Sequence, residues 1–267
     1  MRVASLHRYP VKGLSPESLE TVRLERAAYF PNDRLYAVEN GPAGFDPAEP
    51  RHQPKIKFLM LMRNAALTRL RTRYDERTRT LTVEGEGCSL TVDLSTADGR
   101  LAFEAFLRRT VPRELRGPPK VLTAPDGFRF TDSRRGFVVS LINLASVGAI
   151  EDMLGRPVDP LRFRGNVAVE GLAPWAEFDL VGKVLAVPGG LRLKVTKRIE
   201  RCAATNVDPV TAERDLEIPK TLMQHLGHVD CGVYAEIMAG GELRRGDTLE
   251  RETDTQGSLF SEGDTPA

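Results

Sequence analysis

Between residues 80 and 94 the chain reads TLTVEGEGCSLTVDL, with apolar and polar residues alternating on both sides of Gly85-Glu86-Gly87. A side-chain period of two belongs to a strand with one buried face, and a glycine-rich break supplies the turn, so this stretch predicts a hairpin. The signal recurs. LYAVEN ends at the turn residues Asn40-Gly41, and NVAVEG, KVLAV and LRLKVTK are further short strands. VYAEIMAGGELRRGDTLE reads as two more, joined at Gly240-Gly241. Helical patterns are fewer. GRLAFEAFLRRT places Leu101, Ala105 and Leu107, with Phe106, near one face. NLASVGAIEDMLG has Asn143 as its N-cap and Gly155 as its stop, and EIPKTLMQHLG carries Pro219 in its first turn and closes at Gly227. Many short strands with few helices bury their apolar faces by stacking or closing sheets, which predicts a β-rich α+β fold with barrel-like sheets.

A length of 267 residues suffices for one large or two modest domains. The net charge of +1 argues against a dedicated nucleic-acid binder, which concentrates positive charge in one domain. The start, MRVASLHRYPVKG, lacks the apolar run of a secretory signal, and the most apolar stretch, FVVSLINLASVGAI, is too short to span a bilayer. Three cysteines, Cys88, Cys202 and Cys231, cannot form a disulfide framework and fit a reducing compartment. The expectation is a cytoplasmic protein with no membrane anchor. LRGPPKVLTAPDGF, dense in proline and glycine, marks an internal boundary near residue 117, and the polar ending ETDTQGSLFSEGDTPA predicts a disordered tail.

RIERCAATNVDP places Cys202 directly after Arg201, with Lys197 and Arg198 close by. Neighbouring cations lower a thiol's pKa, and the thiolate is the form that attacks or binds soft metals. A free cysteine is, however, most often a small buried hydrophobe, and single-residue chemistry alone favours that reading. Other candidates are weaker. HLGHVDC spaces His225, His228 and Cys231 like a zinc fragment but lacks a fourth ligand. Cys88 reads as structural, Trp175 as a packing residue, and Asp208 as an acceptor for backbone N–H groups in its own turn. The arginines of RLRTRYDERTRT alternate at strand spacing and read as a solvated hairpin face.

RCAATNVDPVT resembles the stretch around the metal-binding cysteine of MOSC domains, the family named after the C-terminal region of molybdenum cofactor sulfurases. Further stretches agree with that family in order and spacing. YPVKGL, NDRLYAVEN and RHQPKI resemble motifs of the MOSC N-terminal β-barrel domain, although His52 interrupts the last. FTDSRRGFVVSLINLASV, FRGNVAVEG and LRRGD resemble the opening, a central strand and the closing turn of the MOSC domain proper. The resemblance implies an N-terminal MOSC β-barrel domain over residues 1–116 and a MOSC β-barrel domain over residues 117–252, with a few peripheral helices and a disordered tail over 253–267.

What it implies for function is a relation to the mitochondrial amidoxime-reducing component and its bacterial counterparts, which hold a molybdenum–pyranopterin cofactor between the two domains. Cys202 would be the molybdenum ligand and catalytic centre. Lys12, Arg34 and Arg164 would meet the cofactor's phosphate and pterin, with Gly13, Asn166, the turn Thr131, Asp132 and Ser133, and the backbone of Arg201 completing the cradle. A phosphate carrying about two negative charges needs fixed cations and donors, which arginine supplies as a planar fork and lysine as a point charge. Taken singly, these cations read as surface residues in weak ion pairs.

Two departures stand out: Gly13 where relatives often place serine, and Ala212 in DPVTA where Asp-Pro-x-Thr-Gly is more usual. No cysteine cluster has iron–sulfur spacing, so electrons would come from a separate ferredoxin- or flavoprotein-type partner. The implied reaction is reduction of small N-hydroxylated molecules. The resemblance also admits sulfur carriage on a Cys202 persulfide, or cofactor binding without turnover. Pyridoxal phosphate is associated with the wider family, but no local feature singles out a Schiff-base lysine.

Overall fold

A computed structural model of the chain describes residues 1–133 and 137–252. The expected tail at 253–267, and the middle of the FTDSRRGF motif, lie outside the described residues. The first strands are β1 (Arg2–Arg8), β2 (Glu17–Leu19), β3 (Thr21–Leu24) and β4 (Tyr36–Glu39). A hairpin series follows in β5 (Arg71–Asp75), β6 (Thr80–Gly85) and β7 (Cys88–Asp93), then helix α1 (Ala97–Thr110) and β8 (Lys120–Thr123). The remainder runs β9 (Val138–Asn143), α2 (Leu144–Leu154), β10 (Val167–Glu170), β11 (Val184–Ala186) and β12 (Arg192–Glu200). It ends with α3 (Ile218–Leu226), β13 (Asp230–Ala239), β14 (Gly241–Arg244) and β15 (Glu250–Arg251).

Eight strands form one sheet in the order β15-β11-β12-β13-β9-β10-β1-β2. The chain's end closes it. Before entering β15, residues 246–249 run beside β1, with the Val3 N–H donating to the Asp247 carbonyl at 2.8 Å and the Leu249 N–H to the Met1 carbonyl at 2.8 Å. The resulting barrel is filled by the inward positions of its strands, among them Leu6, Leu141, Val167, Leu193, Val195 and Val233, all essentially inaccessible. β9 is buried on both faces, because α2 and α3 cover its outside through Ile142, Ile150, Leu222 and Cys231. β9 and β10 pair in parallel, and α2 lies in the crossover that a parallel pair requires.

The smaller part packs β4–β8 and the meander β5-β6-β7 with α1 around Leu67, Leu81, Val83, Phe103 and Leu107. The predicted hairpin is present: Gly85 pairs with Cys88 across Glu86 and Gly87, and Gly87 takes the left-handed φ of 69°. α1 begins before the predicted Gly99, since the Thr96 hydroxyl caps the Gly99 N–H at 3.0 Å. Its buried face is Phe103, Phe106 and Leu107, whereas Leu101 is 58% exposed and Ala105 also faces solvent, contrary to the predicted face. The caps of α2 and α3 fall at Asn143, Gly155 and Gly227 as the sequence predicts.

One expectation needs correction. β13 and β14 do not form a hairpin, because β13 pairs with β12 and β9 while β14 crosses to β3. The glycines permit that crossing: a Cβ at Gly241 would lie 2.9 Å from the Leu191 backbone, and one at Gly240 would lie 3.0 Å from the Leu24 carbonyl. Strand pairing runs across the expected boundary near residue 117. β1, β2 and β3 join strands of the later half, and β8, past that boundary, pairs with β4. No helix among the described residues is long and apolar enough to cross a membrane.

Ala212 stands at φ 64°, a left-handed conformation that costs a residue with a Cβ about 1–2 kcal/mol. Part of this is offset by the extra freedom that glycine has in the unfolded chain. Ala212→Gly is therefore expected to raise stability by up to ~1 kcal/mol, read as an upward shift of the thermal midpoint. A lowered midpoint would show that the turn tolerates alanine without strain.

Candidate functional site

Arg34 and Arg164 come from opposite halves of the sequence and meet over one aromatic ring. Tyr9 is fully buried, with the Arg34 guanidinium 4.6 Å and the Arg164 guanidinium 4.2 Å from its centroid. Both arginines take left-handed backbones at φ 52°, conformations that persist only where the surroundings impose them. Asp33 fixes the first, accepting the Tyr9 N–H at 2.8 Å and pairing with the Arg34 guanidinium. The second follows a short turn at Pro160–Phe163, capped by Asp159. Arg164 donates to the Leu14 carbonyl at 2.8 Å and accepts from Arg34 on its own carbonyl at 3.3 Å. Gly165, next in the chain, lies so close to Ile142 that a Cβ would fall 2.3 Å from its side chain.

Like charges this near one another resist burial. Desolvation, with Arg34 adding to it, pushes Arg164 down to about 10. For Arg34, burial works in the same direction but Asp33 outweighs it, so its pKa is raised.

Cys202 lies across the same cavity, which has a volume of about 160 Å³. It follows the end of β12, half-buried, and caps the turn Ala203–Asn206, its carbonyl accepting both the N–H and the hydroxyl of Thr205 at 3.0 Å. The loop beyond is clamped. Arg162, nearly inaccessible, donates to both carboxylate oxygens of Asp215 at 2.8 and 3.0 Å and to Asp208 at 2.8 Å. Asp208 also accepts the N–H groups of Val210 and Thr211, the turn role its sequence predicts. Arg214 reaches back to the Leu61 and Met62 carbonyls, tying this loop to the smaller part.

Arg34, Thr131, Asp132, Ser133, Arg164, Asn166, Arg201 and Cys202 all line the cavity, so eight of the ten expected residues converge. Lys12 and Gly13 do not. Lys12 is buried behind the wall, donating to the Phe130 carbonyl at 3.0 Å and pairing with Asp132. Gly13 packs against Leu59, where a Cβ would lie 2.9 Å from the carbonyl oxygen, and its φ of 85° disfavours the serine of relatives. Two lining residues are engaged elsewhere. Asn166 accepts the Ser140 N–H and hydroxyl and donates to the His7 carbonyl. Arg201 gives its N–H to Val229 and its guanidinium to the Cys231 and Phe163 carbonyls, so its backbone is not a free donor.

Sequence reasoning missed Lys55 and Tyr234. Lys55 directly follows the RHQP stretch, so proximity to a matched motif was the available signal. Burial works against its charge, yet Cys202 and Asp132 outweigh burial and raise it. Asp132 is held down at about 2: burial opposes its charge, while Lys12, Lys55 and Arg34 favour it. The Tyr234 hydroxyl is raised, chiefly by burial, and so stays protonated. Cys231, pushed up to about 12 by its apolar surroundings, is inert packing. Among the described residues no group of three or more His, Cys, Asp and Glu could hold a metal ion, which disposes of the zinc fragment.

The fold and cavity together define a β-rich protein in which several cationic side chains and one half-buried thiol, Cys202, line a single cavity. Comparison with known families agrees: the MOSC domain model matches residues 129–250 and the MOSC N-terminal beta barrel domain model matches residues 1–110. The chain belongs to the MOSC family, whose domains are associated with molybdenum cofactor binding. Among solved structures, YiiM from Geobacillus stearothermophilus is similar at 19% identity and a TM-score of 0.35, over 45% of this chain and 57% of that one. The chain thus spans little more than half of YiiM. The YUAD protein from Bacillus subtilis is similar at 11% identity and a TM-score of 0.42, over 93% of each chain. No curated protein matches.

If the Tyr9 ring holds the two guanidiniums together, its face and not its hydroxyl matters. Tyr9→Phe is expected to bind inorganic pyrophosphate within about twofold of the wild type, and Tyr9→Leu about tenfold more weakly, the size of one buried cation–π contact. Calorimetry on folded variants decides, and equal affinity in both would remove the ring from the site.

Proposed function

We propose that the cavity holds a molybdenum–pyranopterin cofactor, with Cys202 as its protein sulfur ligand, and that the protein reduces small N-oxygenated molecules such as N-hydroxylated bases. One observation carries this reading: a single half-buried thiol faces two guanidiniums that share one buried ring. The donor set fits such a group. One sulfur cannot hold a metal alone, so the metal must arrive in an organic holder, and an anionic holder answers the surplus positive charge. When bound, the cofactor supplies two-electron oxygen-removal chemistry at its metal.

The chain's own residues have distinct tasks. Arg34 and Arg164 bind the anionic arm of the holder, and the αL backbones aim their forks before it arrives. Arg162 and Arg214 fix the loop that presents the Cys202 sulfur. Tyr234 keeps a proton on its phenolic oxygen at the wall and can donate it as a hydrogen bond to a substrate oxygen. Lys12 positions Asp132 and does not itself reach the cavity wall. Electrons enter from a separate ferredoxin- or flavoprotein-type donor, and the free cysteines suit a cytoplasmic setting.

Metal analysis of the purified wild type and Cys202→Ser tests the ligand. Molybdenum is expected near one equivalent in the wild type and at less than a tenth of that in the variant. Equal metal in both overturns the assignment. Intact-mass measurement separates sulfur carriage, which predicts a labile extra sulfur on Cys202 with no bound pterin.

A further inference from the structure

Glu177 is a buried acidic side chain with no part in the site so far. It is 1% exposed, on the short turn Ala176–Leu180 that follows the left-handed Trp175. Its Oε2 accepts from Asn143 Nδ2 at 2.9 Å and from the Ser146 hydroxyl at 2.8 Å, and its Oε1 accepts the Gly232 N–H at 3.3 Å. Ser146 itself accepts the Trp175 N–H, so its hydroxyl proton is turned toward Glu177. Both oxygens thus act as acceptors only, as those of a carboxylate do. Among the described residues no cation pairs with Glu177 directly, and a buried charge left uncompensated is costly.

The compensation comes through one peptide bond. The Gly232 N–H belongs to the same peptide as the Cys231 carbonyl, which accepts from Arg201 Nε at 2.7 Å and from a terminal nitrogen of the same guanidinium. The C=O and N–H of a trans peptide point opposite ways, so this peptide lies between a cation and a carboxylate with its dipole favourable to both. Burial lowers the pKa of Arg201, and Glu177 is among the groups that oppose the fall.

A backbone irregularity opens the place. From Arg198 to Glu200 β12 advances two residues while β13 spends three, Val233 to Asp230, so Cys231 and Gly232 bulge from the ladder. Gly232 has φ 78°, and a Cβ there would lie 2.5 Å from the Leu141 carbonyl oxygen and 3.0 Å from the Arg201 guanidinium. Arg201 keeps donors in reserve. Of the five N–H groups of a guanidinium, two go to the Cys231 carbonyl and one to the Phe163 carbonyl. The other two belong to a side chain that lines the cavity beside Cys202.

We propose that Glu177 is a positioning residue for the cavity wall: through the Cys231–Gly232 peptide it holds the Arg201 fork so that its two remaining N–H groups meet a bound anion. This rests on the reading of the cavity as a cradle for an anionic holder. Glu177 itself touches no ligand.

Calorimetry with inorganic pyrophosphate on the wild type, Glu177→Gln, Arg201→Met and the double variant tests it. Glu177→Gln is expected to bind about fivefold more weakly than the wild type, and to bring no further loss once Arg201→Met is present. Wild-type affinity in Glu177→Gln, or losses that multiply in the double variant, overturns the proposal. Thermal midpoints are a second measurement, independent of any ligand. Glu177→Gln is expected to lower the midpoint by several degrees alone and by less than half as much beside Arg201→Met, because removing both charges leaves neither uncompensated. Equal drops in the two backgrounds overturn the coupling. If the wild type binds no pyrophosphate, the cradle reading fails and the midpoints alone decide whether Glu177 holds Arg201. If Glu177→Gln does not fold, the double variant is expected to fold, and its failure as well overturns the proposal.

Discussion

Two guanidiniums held against one buried phenol ring are the constraint on which the site depends. Arg34 and Arg164 repel each other, and both sit in backbone conformations that a residue with a Cβ avoids. The surrounding structure imposes this arrangement through Asp33, the Leu14 carbonyl and the Tyr9 ring. Repulsion of this kind would be relieved by an anion placed between the two guanidiniums. Because the two arginines come from residues on either side of the expected boundary, the site belongs to neither half of the chain alone.

The sulfur is organised differently. Cys202 takes its place from the loop that follows it, and that loop is pinned by Arg162 to Asp208 and Asp215 and by Arg214 to the smaller part. The Asp-Pro turn beyond the cysteine thus anchors that loop. Burial separates the two cysteines on the barrel side: Cys231 is sealed into the packing of α2 and α3, while Cys202 faces the cavity.

Much of this was legible in the sequence. Alternating residues gave the β6–β7 hairpin, and cap residues gave the ends of α2 and α3, because those signals are local. The partner of β14 was not legible, since Gly240-Gly241 reads equally as a tight turn or as room for two chains to cross. The same limit applied to α1, where Thr96 sets the start and Phe103 turns the buried face away from Leu101. At the site, eight expected residues share one cavity because motif order preserved them. Lys12 failed to reach it because Asp132 draws its ammonium behind the wall, an interaction between positions 120 apart that no spacing rule encodes. Tyr234 was missed because only the folded register brings it beside the thiol, whereas Lys55 lay within the matched RHQPKI stretch.

The way the barrel shuts bears on how the protein comes into being. Met1 is hydrogen-bonded to Leu249, 248 positions along the chain. On the ribosome, β1 therefore emerges long before the segment that completes its edge, and it must wait unpaired on that side until residues 246–249 have been made. Contacts of such span are slow to form and leave strand edges exposed meanwhile. The cleft shares that timetable, for its walls are drawn from early, middle and late portions of the polypeptide. A nascent chain thus has no complete cleft until those late portions have folded.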